Sequence, residues 1–162
     1  MQYKTNGHIL DLGLDMKINI ETAVEKDFLQ VKEGFNESLF TKLSPPFPPV
    51  RLIRFDGSKK GDLVSLELDF LLFKQKWTSL IIEDHTNEKE FFFVDQGTEL
   101  PFFLNEWKHK HRIIKNGTGS IIRDEITFSA KPGFLGILLY PAMYLQFLYR
   151  KPIYKKYFKT KS

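Results

Sequence analysis

From Val50 to Ser129 apolar and polar residues alternate with a period of two, in six segments parted by turn signals. Successive side chains of a strand point to opposite faces, so such a chain builds an antiparallel sheet with one wet face and one dry face. LVSLELDF is the plainest case: Val64, Leu66, Leu68 and Phe70 share one face, with Ser65, Glu67 and Asp69 opposite. VRLIRFD precedes it across the turn DGSKKG. KQK reads as the turn before WTSLIIE, DHTNEK as the turn before EFFFVD, and DQGTELP as a longer loop. A sheet this amphipathic needs cover for its dry face. The uncharged run GFLGILLYPAMYLQFLY, residues 133–149, is the piece large enough to supply it.

Ahead of the sheet, MKINIE (Met16 to Glu21) alternates as a short strand. Val24, Phe28, Val31 and Phe35 then fall on one helical stripe that Gly34 stops. Asn36 is placed to cap a second short helix, NESLFTKL, which the run Ser44-Pro45-Pro46-Phe47-Pro48-Pro49 ends. The order is β-α-α-β6-α, an α+β chain. At 162 residues and 42% hydrophobic content it is one domain, 1–162, with residues 1–15 read as a loose N-terminal segment.

Composition removes several function classes. There is no cysteine, so disulfides and thiol chemistry are excluded. The N-terminus lacks the basic-then-apolar pattern of a secretory signal, and a cytoplasmic location is expected. The net charge of +4 is concentrated after residue 149, in Arg150, Lys151, Lys155, Lys156, Lys159 and Lys161; without them the chain is mildly acidic. A nucleic-acid reader spreads a basic stripe across a folded face, so nucleic acid is not an expected partner. A basic C-terminal end, 150–162, suits peripheral contact with an anionic membrane surface. The apolar run before it falls short of the roughly 20 residues a bilayer span needs, and it contains Pro141 and Gln146.

Within LNEWKHKHRI, residues 104 to 113, Trp107, His109, His111 and Ile113 share one face, and Lys108, Lys110 and Arg112 share the other. Histidines on the dry face of a strand need a polar partner. A two-residue Asn116-Gly117 turn sets Lys115 against Thr118, His109 against Asp124, His111 against Ile122 and Trp107 against Ile126. A four-residue loop sets Asp124 against His111 instead; both keep the acid on the histidine face. A buried His–Asp group reads as a satisfied core pair, as a polar anchor in a ligand cavity, or as a general acid/base or metal site with Asp124 as third ligand. No Gly-rich phosphate loop and no nucleophile in a recognisable setting accompanies it.

The chain resembles the START-like, or SRPBCC, superfamily of helix-grip proteins, which includes birch-pollen-allergen-like proteins, lipid-transfer domains and bacterial polyketide cyclases. The similarity rests on Leu43-Ser44-Pro45-Pro46, Pro101-Phe102, Trp107-x-His109-x-His111, Asp124-x-Ile126, Pro132-Gly133-x-x-Gly136 and Tyr149-Arg150, and it runs from about Met16 onward. It implies a curved antiparallel sheet wrapped around a long C-terminal helix, with an apolar tunnel between them. Pro141 and Pro152 depart from it, and a kinked or early-ending helix is expected there.

The expected function is binding or carriage of a small apolar ligand: a lipid, isoprenoid, sterol-like molecule or aromatic polyketide. Trp107, His109, His111 and Asp124 would line the cavity, with Phe93, Leu68 and Phe70 adding apolar wall. No cofactor or resident metal is expected. One alternative is a polyketide cyclase/dehydratase-like enzyme with His109 or His111 as a base tuned by Asp124; another is a membrane-surface module working through the basic end.

Overall fold

The computed structural model describes residues 14–160. Seven antiparallel strands form one sheet in the order β1-β7-β6-β5-β4-β3-β2: β1 Met16–Val24, β2 Val50–Phe55, β3 Leu63–Asp69, β4 Lys74–Thr86, β5 Glu90–Glu99, β6 Leu104–Asn116 and β7 Gly119–Ala130. Short helices α1 (Phe28–Gly34) and α2 (Glu37–Lys42) follow β1, and the long helix α3 (Phe134–Tyr157) closes the chain. Register shifts break the β2–β3, β4–β5 and β6–β7 ladders, and the extra residue at each bends its strand. The result is the antiparallel sheet expected from the alternation, with the curvature that the helix-grip resemblance implies. The expectation of a loose N-terminus falls, for residues 1–13, outside the described residues.

The start signals work locally. Asp27 caps α1 by accepting hydrogen bonds from the Leu29 and Gln30 amides at 2.9 and 3.2 Å, and Asn36 caps α2 through the Leu39 amide at 3.2 Å. Val24 does not belong to the helical stripe; it is the last residue of β1, and the helix begins after the Asp27 cap. Asn87 turns the chain between β4 and β5, its Oδ1 accepting from the Lys89 and Glu90 amides.

The reversal between β3 and β4 lies elsewhere than polarity suggests. Lys74, Gln75 and Lys76 lie inside β4, and the reversal is made by Phe70-Leu71-Leu72-Phe73. Asp69 Oδ1 accepts from the Leu71 amide at 2.8 Å, and Leu71 takes a positive φ of 71°. The polar KQK triplet looked like the turn because an apolar tetrapeptide is poor turn chemistry.

The core has two lobes. One joins α1, α2 and the end of α3 to β5–β7 through Phe28, Val31, Leu39, Ile113, Tyr154 and Phe158; the other sets Met143 and Phe147 of α3 over Ile18, Trp107, Ile126 and Phe128. Helix α3 is unbroken over 24 residues despite its prolines. Both prolines are exposed, and the carbonyls they leave unpaired, those of Ile137 and Leu148, lie on the exposed side too. Helix α3 also absorbs the basic end. Residues 150–157 are its last two turns, anchored by Tyr154 and then Phe158, so this end is part of the body and not a detachable tail. Only Gly136, Met143, Phe147 and Tyr154 of α3 are buried, so the helix meets the sheet along a stripe and leaves its other side to solvent.

Candidate functional site

Strand β6 carries the site between β5 and β7. Its register differs from the expected one by two residues in total: Asn116 pairs with Gly119, so His111 faces Asp124, His109 faces Ile126 and Trp107 faces Phe128. The turn is centred on Gly117-Thr118, and of these residues only Gly117 has a positive φ, 60°. That matches a turn with glycine at its first central position, whereas a turn centred on Asn116-Gly117 would need positive φ at both. The next glycine has a separate reason: a Cβ on Gly119 would stand 2.5 Å from the Val24 carbonyl oxygen. This register is the one the four-residue loop implied, and because it preserves parity every inward residue stays inward. The outward Lys110 ammonium sits 3.7 Å over the Phe92 ring, and Arg112 spans Glu90 and Glu125.

Inside, two imidazoles lie between two carboxylates. The His109 and His111 ring centroids are 3.5 Å apart, tilted by 39°. Asp124 Oδ1 is 2.9 Å from His109 Nε2 and 3.2 Å from His111 Nδ1, the second contact too poorly aligned to be a hydrogen bond. On the other side Asp95 Oδ2 is 3.5 Å from His109 Nδ1 and 3.3 Å from His111 Nε2. Trp107 Nε1 donates to the remaining oxygen, Asp95 Oδ1, at 2.9 Å. The Phe93 ring stacks on His111 with centroids 4.5 Å apart, and the Phe147 ring meets His109 edge to face.

Asp95 is the residue sequence reasoning missed. It pairs with His109 across β5–β6. The signal was available: alternation places Asp95 on the face of Phe91 and Phe93, but the acid was assigned to the end of its strand beside a loop, whereas β5 continues to Glu99.

Burial alone would raise both carboxyls, yet contacts with the two histidines outweigh it and hold Asp95 and Asp124 below the usual carboxylate range. The histidines separate. Burial, reinforced by the neighbouring His111 charge, pushes His109 down to about 4, while His111, against the same burial, is raised by its contacts with Asp124 and Asp95. The two imidazoles are thus shifted in opposite directions, and His109 is neutral at neutral pH. A neutral buried imidazole at a cavity wall can orient a polar guest atom or accept a proton from it.

That cavity encloses about 310 Å³ between α1–α2, the sheet and α3. Leu68, Phe70, Phe93, Trp107, His109 and His111 line it. Asp124 does not: it is 1% exposed and lies behind the imidazoles. Arg150 also reaches the cavity, its guanidinium 4.3 Å over the Phe147 ring. Deeper, burial and the charge of Asp124 push the Tyr154 hydroxyl up, and its oxygen has no hydrogen-bond partner. Among the described residues, the one group with metal-binding spacing is Asp95, His109 and His111, one donor atom from each lying within 4.8 Å of the others. Asp95, not Asp124, takes the third place.

No protein-family model and no curated protein matches the sequence. Solved structures do match in fold. A Mycobacterium smegmatis protein superposes with a TM-score of 0.64 at 11% identity, covering 90% of this chain and 92% of its own. Norcoclaurine synthase from Thalictrum flavum gives 0.56 at 16% identity, over 99% of this chain and 98% of its own. An aromatase/cyclase from Streptomyces sp. R1128 gives 0.56 at 16%, over 76% and 73%. The chain shares the helix-grip fold of these structures.

Proposed function

We propose that this protein binds and carries a small apolar guest of lipid, isoprenoid, sterol-like or aromatic polyketide type, with Trp107, His109, His111, Phe93, Leu68 and Phe70 at its contact surface and Asp124 fixing the histidines from behind. The observation that carries this reading is a mostly apolar cavity wall on which the buried Asp95, His109 and His111 cluster opens. A volume of about 310 Å³ falls at the small end of ligand sites, roughly 300–1,000 Å³. Each 100 Å² of guest surface buried contributes about 2.5 kcal/mol. The solved norcoclaurine synthase complex with dopamine and hydroxybenzaldehyde supports small aromatic guests on this fold.

Native mass spectrometry of the purified protein is expected to show one co-purified apolar species per chain. Leu68→Trp, which projects an indole into the cavity, is expected to lower affinity at least tenfold with little change in thermal stability. Failure of the wild type to take up any fatty acid, isoprenoid alcohol, sterol or polycyclic aromatic at about 0.1 mM would sink the reading.

A second reading, loading of the guest from a bilayer, is favoured by the rim. Phe47, Leu71, Leu72, Phe73 and Phe102 are 56, 80, 94, 44 and 72% exposed. They continue outward from the cavity wall: Phe70 packs on Phe47, Phe73 and Phe103, and Phe73 on Phe102. Strained backbone at an exposed leucine stabilises nothing in the free protein, and a large apolar rim marks a contact surface. The basic residues occupy the last two turns of α3, whereas Phe70 packs on Phe103, which joins the same core lobe as Leu139 and Tyr140 earlier in that helix, so the rim and not the basic end would dip into lipid. Co-sedimentation with neutral phosphatidylcholine vesicles is expected, weakened at least tenfold by Leu71→Asp/Leu72→Asp. Equal binding by that variant would refute loading through the rim.

A further inference from the structure

We propose that Asp95, His109 and His111 form a three-ligand zinc site whose fourth coordination position opens into the cavity. Three donor atoms converge: Asp95 Oδ2 lies 3.5 Å from His109 Nδ1 and 3.3 Å from His111 Nε2. Two ligands each about 2.0–2.1 Å from a tetrahedral zinc stand about 3.3–3.4 Å apart, whereas neighbouring ligands of an octahedral ion stand about 2.9 Å apart. Both separations from Asp95 fit the tetrahedral ion, and one donor atom from each of the three residues lies within 4.8 Å of the others.

Each ligand is held from behind in the way metal ligands usually are. Histidines that bind a metal commonly give their other ring nitrogen to a carboxylate, which fixes ring and tautomer. Here Asp124 Oδ1 takes His109 Nε2 at 2.9 Å and stands 3.2 Å from His111 Nδ1. Trp107 Nε1 occupies Asp95 Oδ1 at 2.9 Å, leaving Oδ2 for the centre of the cluster. If Nε2 of His109 carries the proton shared with Asp124, then Nδ1 offers a lone pair, and it faces the lone pairs of Asp95 Oδ2 with no proton between them. A cation placed there turns that repulsion into three bonds.

Charge and access agree. With both imidazoles neutral, as metal ligation requires, the two buried carboxylates leave a charge of −2, which a divalent ion cancels. Asp95, His109 and His111 all line the cavity and Asp124 does not, so the uncovered side of the ion faces the guest space. Structural zinc sites are closed by four protein ligands; three ligands and an open position belong to zinc that meets a ligand or a water. The guest so recognised carries a carboxylate, hydroxyl or carbonyl oxygen on an apolar body. This last step rests on the cavity-binding function, but the ion site itself does not.

The test uses full-length protein made without a histidine tag, stripped with a chelator and titrated with zinc ion alone. One equivalent is expected by elemental analysis and calorimetry, with cobalt substitution giving the intense visible absorption of a tetrahedral centre. Asp95→Asn and His109→Ala are each expected to weaken zinc binding about a hundredfold or more, and Asp124→Asn about 10–100-fold. Should His109→Ala fail to fold, the near-isosteric Asp95→Asn decides. Zinc below a tenth of an equivalent in wild type, or undiminished affinity in Asp95→Asn, would overturn the proposal. Leu68→Trp separates the two ideas: zinc retained with no guest bound supports the ion site alone, and guest bound by a protein that takes up no zinc leaves the cavity function standing and the ion site refuted.

Discussion

Asp124→Ala is expected to lower the unfolding free energy by about 3–5 kcal/mol, the range found when one partner of a buried ion pair is removed. The carboxylate is 1% exposed and lies within 3.2 Å of both imidazoles. Removing it leaves His111 with one neighbouring carboxylate, Asp95, and His109 Nε2 without its hydrogen-bond partner. It also opens a void between Ile122 and Ile126, which are 0 and 2% exposed. At roughly 2–4 °C per kcal/mol for a chain of this size, the melting temperature should fall by about 6–20 °C. Asp124→Asn keeps the shape and one acceptor oxygen and is expected to cost less, about 1–3 kcal/mol. Urea unfolding of both variants measures the difference, and a loss under 1 kcal/mol for Asp124→Ala would show that the carboxylate does not stabilise the pair. Function sorts differently: a carrier with Asp124→Asn keeps measurable affinity, whereas an enzyme using His109 as a base would keep binding and lose turnover.

Much of this arrangement was legible in sequence because a strand has an integer period. Alternation alone put Trp107, His109, His111 and Asp124 on one face, and a register wrong by two residues could not move them off it. What alternation cannot supply is the identity of directly opposed residues, which depended on whether the turn used Asn116-Gly117 or Gly117-Thr118. The misplaced β3–β4 turn has a related origin. Turn chemistry is read from polarity, and Phe70-Leu71-Leu72-Phe73 violates polarity at a place where the free protein gains nothing by it. Asp95 escapes for the opposite reason: its strand outlasts its hydrophobic pattern, since Gln96, Gly97 and Glu99 pair with β4 or β6 without apolar side chains to announce it. The helix was hardest. An uncharged run predicts burial on all sides, but α3 touches the body along one stripe, leaving Ile137, Leu138 and Leu145 between 57 and 67% exposed. Hydropathy records that these residues tolerate an apolar neighbour; it does not say whether the neighbour is this sheet or another surface.

The stripe itself makes a second large effect expected. Phe147→Ala should cost about 3–5 kcal/mol, the usual range for a buried phenylalanine cut to alanine. The ring is 3% exposed. It stacks on Trp107 with centroids 5.9 Å apart, meets His109 edge to face at 5.0 Å, and carries the Arg150 guanidinium at 4.3 Å. Truncation therefore removes a large apolar area, two aromatic contacts and a cation–π contact at once. Leu145, two residues earlier and 60% exposed, supplies the control: Leu145→Ala should change stability by less than about 0.5 kcal/mol. Comparable losses at both positions in urea unfolding would mean that α3 is not clamped by this stripe. Phe147 also lines the cavity, so its removal enlarges the guest space beside His109. The same variant should then bind bulkier apolar guests relative to small ones, because the new volume lies where a guest's polar atom meets the imidazole. Destabilisation with guest preference unchanged would place the guest elsewhere in the cavity, away from the histidines.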